Sequence, residues 1–203
     1  MEENKLPLFQ HFASLYENPK WILKLVLAII VMTLSAGVTV ITIDYNEIYK
    51  DINMTGEQLE QAKMFGQIGG IIAGIFSSII SVIITFVIFL LISKIMKSDV
   101  SGKSIFSATL SYTLITGVIA LIVITIQWVT GLSPTDYSIT SLNIFDKGNK
   151  ILEAFNLKTL VGAYVFGIML FATSRFSKKA SIIWTIVYLI VYVGFSLLGA
   201  SFS

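Results

Sequence analysis

Hydrophobic residues in this chain are gathered into long stretches that contain no Asp, Glu, Lys or Arg. Five such stretches cover residues 25–43, 64–93, 104–135, 159–174 and 180–203. A helix needs about 20 mostly apolar residues to cross a hydrocarbon core of roughly 30 Å. Four stretches reach that length, while residues 159–174 are marginal. The pattern predicts an all-α fold, a polytopic membrane bundle of five transmembrane helices.

The spans themselves are placed from these stretches and the polar segments between them. We predict spans at about residues 21–43, 66–93, 104–128, 157–173 and 180–200, within a single membrane domain of residues 21–203. The fourth span has a re-entrant segment as its alternative, and residues 143–156 are expected to form a second surface helix. Continuous runs rich in Ile, Leu, Val and Phe differ from the alternating pattern of transmembrane β-strands.

Residues 1–20 form a separate polar segment with an amphipathic pattern. Apolar residues recur there at near-helical spacing, at Leu8, Phe12 and Leu15 among others, before Asn18-Pro19. This spacing predicts a short helix at the membrane surface. Acidic residues and the lack of an apolar run do not fit a signal peptide. We therefore expect a cytoplasmic amphipathic N-terminal segment.

Charge distribution predicts the orientation. With the N-terminus inside, nine Lys and Arg residues lie on the cytoplasmic side and five on the outer side. Cytoplasmic loops of membrane proteins carry an excess of Lys and Arg. The count predicts an N-terminus inside and, with five spans, a C-terminus outside. We expect the cell membrane as the location.

Composition excludes several function classes. Only 13% of residues are charged, against roughly 25% in soluble domains. The net charge of +2 provides no basic field for a phosphate backbone, so nucleic acid is not an expected partner. Membrane lipids are expected partners. No ionisable residue is expected in the central parts of the spans, which disfavours proton-coupled transport or pumping.

The residue inventory also disfavours catalysis. The chain has one histidine, His11, and no cysteine, which leaves no two-His or Cys-type metal motif. A serine hydrolase within the membrane needs a His or Lys base beside its serine, and we expect neither there. We predict no enzyme activity, no catalytic residue, no metal and no cofactor.

The strongest internal pattern is a small-residue stripe on the second span. Its members recur every three or four residues and are Gly66, Gly70, Gly74, Ser78, Ser81 and Thr85. Small side chains on one helix face let another backbone approach closely. We predict a helix-packing seam against another span of this chain, with a second protein or a second copy as the alternative.

Two weaker patterns are candidate contact sites. Trp184, Tyr188 and Tyr192 share one face of the last span, where they could contact a lipid or a partner helix, or serve packing and interfacial anchoring. An acidic loop follows the first span and contains Asp44, Glu47, Asp51, Glu57 and Glu60. These carboxylates could attract a cation or cationic peptide, or form a solvated loop without calcium-binding spacing.

The order of these features resembles the YIP family of Ypt/Rab-interacting membrane proteins, particularly its bacterial members. The resemblance covers most of the chain. It depends on the five-span layout and on loose motifs, which are Asn18-Pro19-Lys20-Trp21, Gly102-Lys103-Ser104, Asn143-Ile144-Phe145, Phe155-Asn156-Leu157 leading into residues 162–181, and Ser177-Lys178-Lys179-Ala180.

The resemblance implies a non-enzymatic scaffold or accessory subunit with a cytosolic N-terminus. Some bacterial members look like partners of ABC exporters in defence against antimicrobial peptides, so another integral membrane protein is an expected partner. Eukaryotic members bind prenylated small GTPases in vesicle traffic, which makes a trafficking adaptor an alternative.

A further alternative comes from the residues themselves. A lipid or small-solute transporter or scramblase could use a neutral polar groove. Its predicted wall consists of Ser77, Ser78, Ser81, Thr85, Thr116 and Gln127.

Overall fold

Helices make up most of the chain that the computed structural model describes, which is residues 5–50, 52, 56–134 and 136–202, apart from the side chain of Glu47. The helices are α1 (Phe9–Glu17), α2 (Ile22–Thr42), α3 (Tyr45–Tyr49), α4 (Glu57–Ile95), α5 (Gly102–Val129), α6 (Lys150–Glu153), α7 (Leu157–Ala172) and α8 (Lys178–Ala200). Within the described ranges the only β pairing is one isolated bridge, between Ser141 and Asn156. The all-α prediction is confirmed.

Among the described residues, four helices are long and apolar enough to cross a membrane, namely α2, α4, α5 and α8. They correspond to four of the five predicted spans. Their outward faces carry large apolar side chains such as Phe65, Ile190 and Phe195, which are 68%, 66% and 72% exposed. An apolar surface of this extent is unfavourable in water and suits contact with lipid tails. The structure therefore indicates a helical membrane protein.

The helix at the fourth predicted span, α7, is short and lies in the interior. Its 16 residues measure about 24 Å at roughly 1.5 Å per residue, which is less than the hydrocarbon core. Nine of those residues are buried. Its N-terminus is capped by Asn156, whose side-chain oxygen accepts a hydrogen bond from the amide of Lys158. This helix has little face left for lipid.

The buried core lies at the end of the bundle where α1 docks. Phe12 and Leu15 are 0% and 3% exposed and pack in one cluster with Phe89 of α4, Ile105 of α5 and Met169 of α7. The amphipathic helix expected near the N-terminus is present, but its apolar face contacts protein rather than the membrane surface. Helical spacing of apolar residues in a sequence shows that one face of the helix is apolar, but it does not show whether lipid or protein covers that face.

Hydroxyl groups of the bundle hold this N-terminal segment in place. The Thr173 hydroxyl donates to the carbonyl of Phe12 at 2.8 Å, and the Ser104 hydroxyl donates to that of Tyr16 at 3.0 Å. Tyr16 lies in the last turn of α1, where backbone carbonyls lack partners within the helix. Side chains of α5 and of the α7 terminus thus satisfy the backbone of the docked segment.

A buried asparagine organises residues 138–143 of the connection between α5 and α7. Asn143, 2% exposed, accepts hydrogen bonds from the Ser138 amide at 2.8 Å and the Ser141 hydroxyl at 2.9 Å. A buried amide with satisfied bonds can organise a loop without a helix. The surface helix expected over residues 143–156 is therefore wrong for most of that segment, which contains only a 3₁₀ turn (Leu142–Phe145) and the four-residue α6.

The glycines of the small-residue stripe lie where α4 approaches α2 and α3. A Cβ atom at Gly66 would lie 2.9 Å from Cε1 of Tyr45, and one at Gly74 would lie 3.0 Å from Cβ of Ala36. Gly70 has Val40 Cγ2 at the same close range, 2.9 Å. Contacts this short leave no room for a side chain. The first three members of the stripe therefore make contacts within the chain.

Replacing one of these glycines should destabilise the bundle. We expect Gly74→Leu to cost about 1–3 kcal/mol, because the added side chain would force α2 away from α4. Gly69→Leu is the matched control, since a Cβ at Gly69 has no atom within 4 Å. Thermal unfolding in mild detergent measures both variants. An equal loss of stability in the two would contradict the assigned contact.

Candidate functional site

Five helices, α2, α4, α5, α7 and α8, border a half-open cavity of about 630 Å³. Apolar side chains form much of its surface, and we call it the polar cavity for the hydroxyl groups among them. Its wall is rich in hydroxyl groups. Those from Ser and Thr are Ser35 on α2, Ser77, Ser78, Ser81 and Thr85 on α4, Thr113 and Thr116 on α5, and Thr159 on α7. The lining of this polar cavity makes it the candidate functional site.

The small-residue stripe changes its role along α4. Its glycines contact α2 and α3, whereas Ser78, Ser81 and Thr85 line the polar cavity. Five of the six residues predicted for a polar groove belong to this wall. The sixth, Gln127, does not line it: its side chain is 3% exposed, and Nε2 donates to the Tyr137 carbonyl at 2.8 Å. Placing Gln127 in the wall is therefore wrong.

Some hydroxyls on the wall have local partners, whereas a buried one has none in the described part of the chain. The Ser78 hydroxyl donates to the Gly74 carbonyl and the Thr116 hydroxyl to the Tyr112 carbonyl, each at 2.8 Å. Their oxygens keep lone pairs that can accept from a ligand. The Ser35 hydroxyl is buried and has no hydrogen-bond partner in the described part of the chain. A buried polar group without a partner costs free energy, which a polar ligand could recover.

Aromatic rings separate the polar cavity from an apolar groove. The rings stack in sequence, with centroids 5.2 Å apart for Phe89 and Phe166, 5.0 Å for Phe166 and Tyr188, and 5.9 Å for Tyr188 and Tyr192. The hydroxyls of Tyr112 and Tyr188 lie 3.0 Å apart. Tyrosine suits this place because its ring is apolar and its hydroxyl faces polar groups.

The apolar groove lies between α4 and α8 and measures about 580 Å³. Trp184, Tyr188 and Tyr192, the aromatic residues singled out on the last span, all line it. Tyr188 and Tyr192 also line the polar cavity. The aromatic face of α8 thus borders both spaces.

A mouth of about 500 Å³ continues the polar cavity at the end where α7 begins. Lys158, Thr159 and Tyr192 line both spaces, and Tyr192 and Ser196 also border the apolar groove. The three spaces therefore adjoin one another around Tyr192. A charged rim, a cavity with hydroxyl groups in its wall and an apolar groove are therefore neighbours.

The acidic loop does not assemble a comparable site among its described members. Glu60 pairs with Lys63 at 2.8 Å, Asp44 accepts from the Asn46 amide at 2.9 Å, and Glu57 accepts from the side chain of Gln61 at 3.4 Å. Asp51 and the side chain of Glu47 lie outside the described residues. No group of three or more His, Asp or Glu residues able to hold a metal occurs in the described chain.

His11 and Lys24 each lie next to a serine of α5, a contact that the sequence did not predict. Nε2 of His11 is 3.0 Å from the Ser111 hydroxyl, and Nζ of Lys24 donates to the Ser107 hydroxyl at 3.0 Å.

Both serines use their protons elsewhere, however. Ser111 donates to the Ser107 carbonyl at 3.1 Å, and Ser107 donates to the Lys20 carbonyl at 3.0 Å. In this arrangement the two pairs join α1 and α2 to α5.

The docked His11 should make stability depend on pH. Burial and, secondarily, the charge of Lys24 lower the pKa of His11 from its ordinary value of 6.5. Between the lowered pKa and about 6.5 the unfolded chain binds more protons, so stability falls as pH decreases through this window. We expect the thermal midpoint of the wild type to fall more between pH 7.5 and 5.5 than that of His11→Gln. Identical pH profiles would contradict this.

Comparisons with protein-family models, with curated proteins and with solved structures find no match to this chain. The resemblance to the YIP family stays a prediction. The cavity system and the four apolar helices are therefore the findings from which a function can be argued.

Proposed function

We propose that this chain is a non-enzymatic multi-pass membrane protein that binds a lipid or small amphiphilic solute and moves its polar part through the polar cavity. The observation that carries the proposal is that the polar cavity shares lining residues with both the mouth and the apolar groove. A polar group without hydrogen-bond partners is costly in hydrocarbon. The hydroxyl wall offers such partners while the groove accommodates an apolar chain.

The size and charge of the polar cavity support passage rather than tight capture. Its volume of about 630 Å³ falls in the range of roughly 300–1,000 Å³ that is typical of ligand pockets. Its wall combines neutral hydroxyls with apolar side chains, and Lys158, which it shares with the mouth, is its charged residue. Transport requires binding that is favourable enough for entry and weak enough for release. Neutral hydroxyls meet that requirement better than a buried charge.

The functions implied by the YIP resemblance stay alternatives of a different class. They are a scaffold or accessory subunit, with an ABC exporter in toxin resistance as the concrete partner, and a trafficking adaptor. Apolar outward faces, such as that of α8 with Ile190 and Phe195, suit contact with lipid and with a partner helix equally. The cavity system is the feature that favours lipid transport.

We also propose that α7 is a fifth crossing, with the N-terminus inside and the C-terminus outside, in the cell membrane. Just after α7, Thr173 contacts the docked α1 through Phe12. Just before α7, the side chain of Asn156 accepts from Thr140 in the loop that follows α5. Helix α7 thus connects the two ends of the bundle that α5 also connects. A short helix can cross where the bilayer thins locally.

Single cysteines test this topology cleanly, because the chain has no cysteine of its own. We expect a membrane-impermeant maleimide to label Phe145→Cys and Phe202→Cys on intact cells, and Lys178→Cys only after lysis. All three positions are exposed in the structure. Labelling of Phe145→Cys and Lys178→Cys from the same side would show that α7 is re-entrant.

Filling the polar cavity should stop lipid movement. In proteoliposomes with a fluorescent lipid, we expect wild-type protein to accelerate exchange between leaflets and Ser81→Trp to slow it at least about tenfold, equivalent to roughly 1.4 kcal/mol of added barrier. Ile80→Trp is the matched control, since Ile80 is 54% exposed and does not line the cavity. Folded wild-type protein without exchange activity, or equal rates in the two variants, would contradict the proposal.

A further inference from the structure

The mouth of the polar cavity carries one net positive charge. Its ionisable lining consists of two lysines and one glutamate. Lys150 forms an ion pair with Glu153 at 3.0 Å. The ammonium of Lys158 has no hydrogen bond or ion pair among the described residues, although Glu153 attracts it from a greater distance. The mouth therefore holds a part-buried cation without a partner.

The position of Lys158 adds to this positive character. It is the second residue of α7, and the aligned peptide dipoles of a helix place partial positive charge at its N-terminus. Thr159, 6% exposed, and Asn156 add polar groups on either side of it in the lining. An anion at the mouth would gain from the lysine and the helix end together, whereas a cation would be repelled.

The apolar groove begins where the mouth ends. Tyr192 and Ser196 line both, and the groove continues between α4 and α8 along Ile88, Ile92, Val187 and Val191. Its lining is almost entirely apolar and aromatic. Such a surface matches a hydrocarbon chain and offers nothing to a free anion. A molecule with an anionic head at Lys158 and an apolar chain in the groove would contact both surfaces at once.

We propose that the mouth and the apolar groove form a binding site for an anionic phospholipid, with its phosphate at Lys158 and an acyl chain between α4 and α8. This inference rests on the proposed function and specifies its substrate class. Zwitterionic phospholipids carry a second, cationic group, which the unpaired Lys158 would repel. Charge therefore selects the headgroup, while the groove selects a lipid over free phosphate.

Binding of two lipids with the same acyl chains tests the inference. Purified full-length protein in mild detergent is titrated with fluorescent phosphatidylglycerol, which is anionic, and phosphatidylcholine, which is zwitterionic. We expect the anionic lipid to bind about tenfold more tightly, as one charge-assisted hydrogen bond would give. Lys158→Met should remove the preference for the anionic lipid, and Lys158→Arg should keep it. Glu153→Gln should increase the preference, because Lys150 would lose its ion-pair partner and could also attract the phosphate.

A charge change elsewhere provides the control. Lys147→Met removes the same charge at a residue that pairs with Asp136 and does not line the mouth, so it should leave the preference unchanged. Equal binding of the two lipids, or loss of the preference in Lys147→Met as large as in Lys158→Met, would overturn the inference. Inorganic phosphate that displaces the anionic lipid at the lipid's own concentration would also overturn it, because the groove would then contribute nothing.

The same measurements distinguish a failure of the anionic lipid site from a failure of the proposed transport function. If both lipids bind and exchange between leaflets without a headgroup preference, the anionic site is wrong while lipid transport stands. If neither lipid binds to folded wild-type protein, the transport proposal fails together with the site.

Discussion

The short length of the central helix α7 governs how the rest of the bundle is filled. Helix α7 has 16 residues beside an α5 of 28 and an α4 of 39, so it cannot cover their full lengths. At its C-terminal end the missing length is occupied by α1, whose Phe12 and Leu15 complete the core. At its N-terminal end lie only the four-residue α6, among the described helices, and the mouth of the polar cavity. The packed core at one end of α7 and the open mouth at the other both follow from the difference in length between α7 and its neighbours α4 and α5.

One face of α4 serves both regions. Gly66, Gly70 and Gly74 let α2 and α3 approach α4 closely. The hydroxyls of Ser78 and Ser81 follow on the same face of α4 and line the polar cavity. Small side chains permit contact where helices converge and leave space where they diverge. A single repeating pattern in the sequence therefore produces a packed interface in one half of the helix and a cavity wall in the other.

Features that depend on composition over a whole helix could be predicted from the sequence. The four long apolar helices and most of the polar wall are of this kind, because hydropathy and spacing are properties of one segment. The docking of α1 and the contact of His11 with Ser111 could not be predicted, since they depend on which segments meet. Gln127 was misplaced for the same reason: its partner, Tyr137, lies in a loop whose path no periodic pattern reveals.

The uneven packing of the bundle also determines how it can deform. Around Phe12 the side chains interlock, and such a core resists displacement. Around Tyr192, three adjoining spaces leave the side of α8 that faces α4 loosely packed, whereas its other side packs against α7. A rotation of α8 against α4 would have its pivot near the docked helix and its largest amplitude at the opposite end. The bundle is therefore held together at the end where α1 docks, and it would widen at the end around Tyr192.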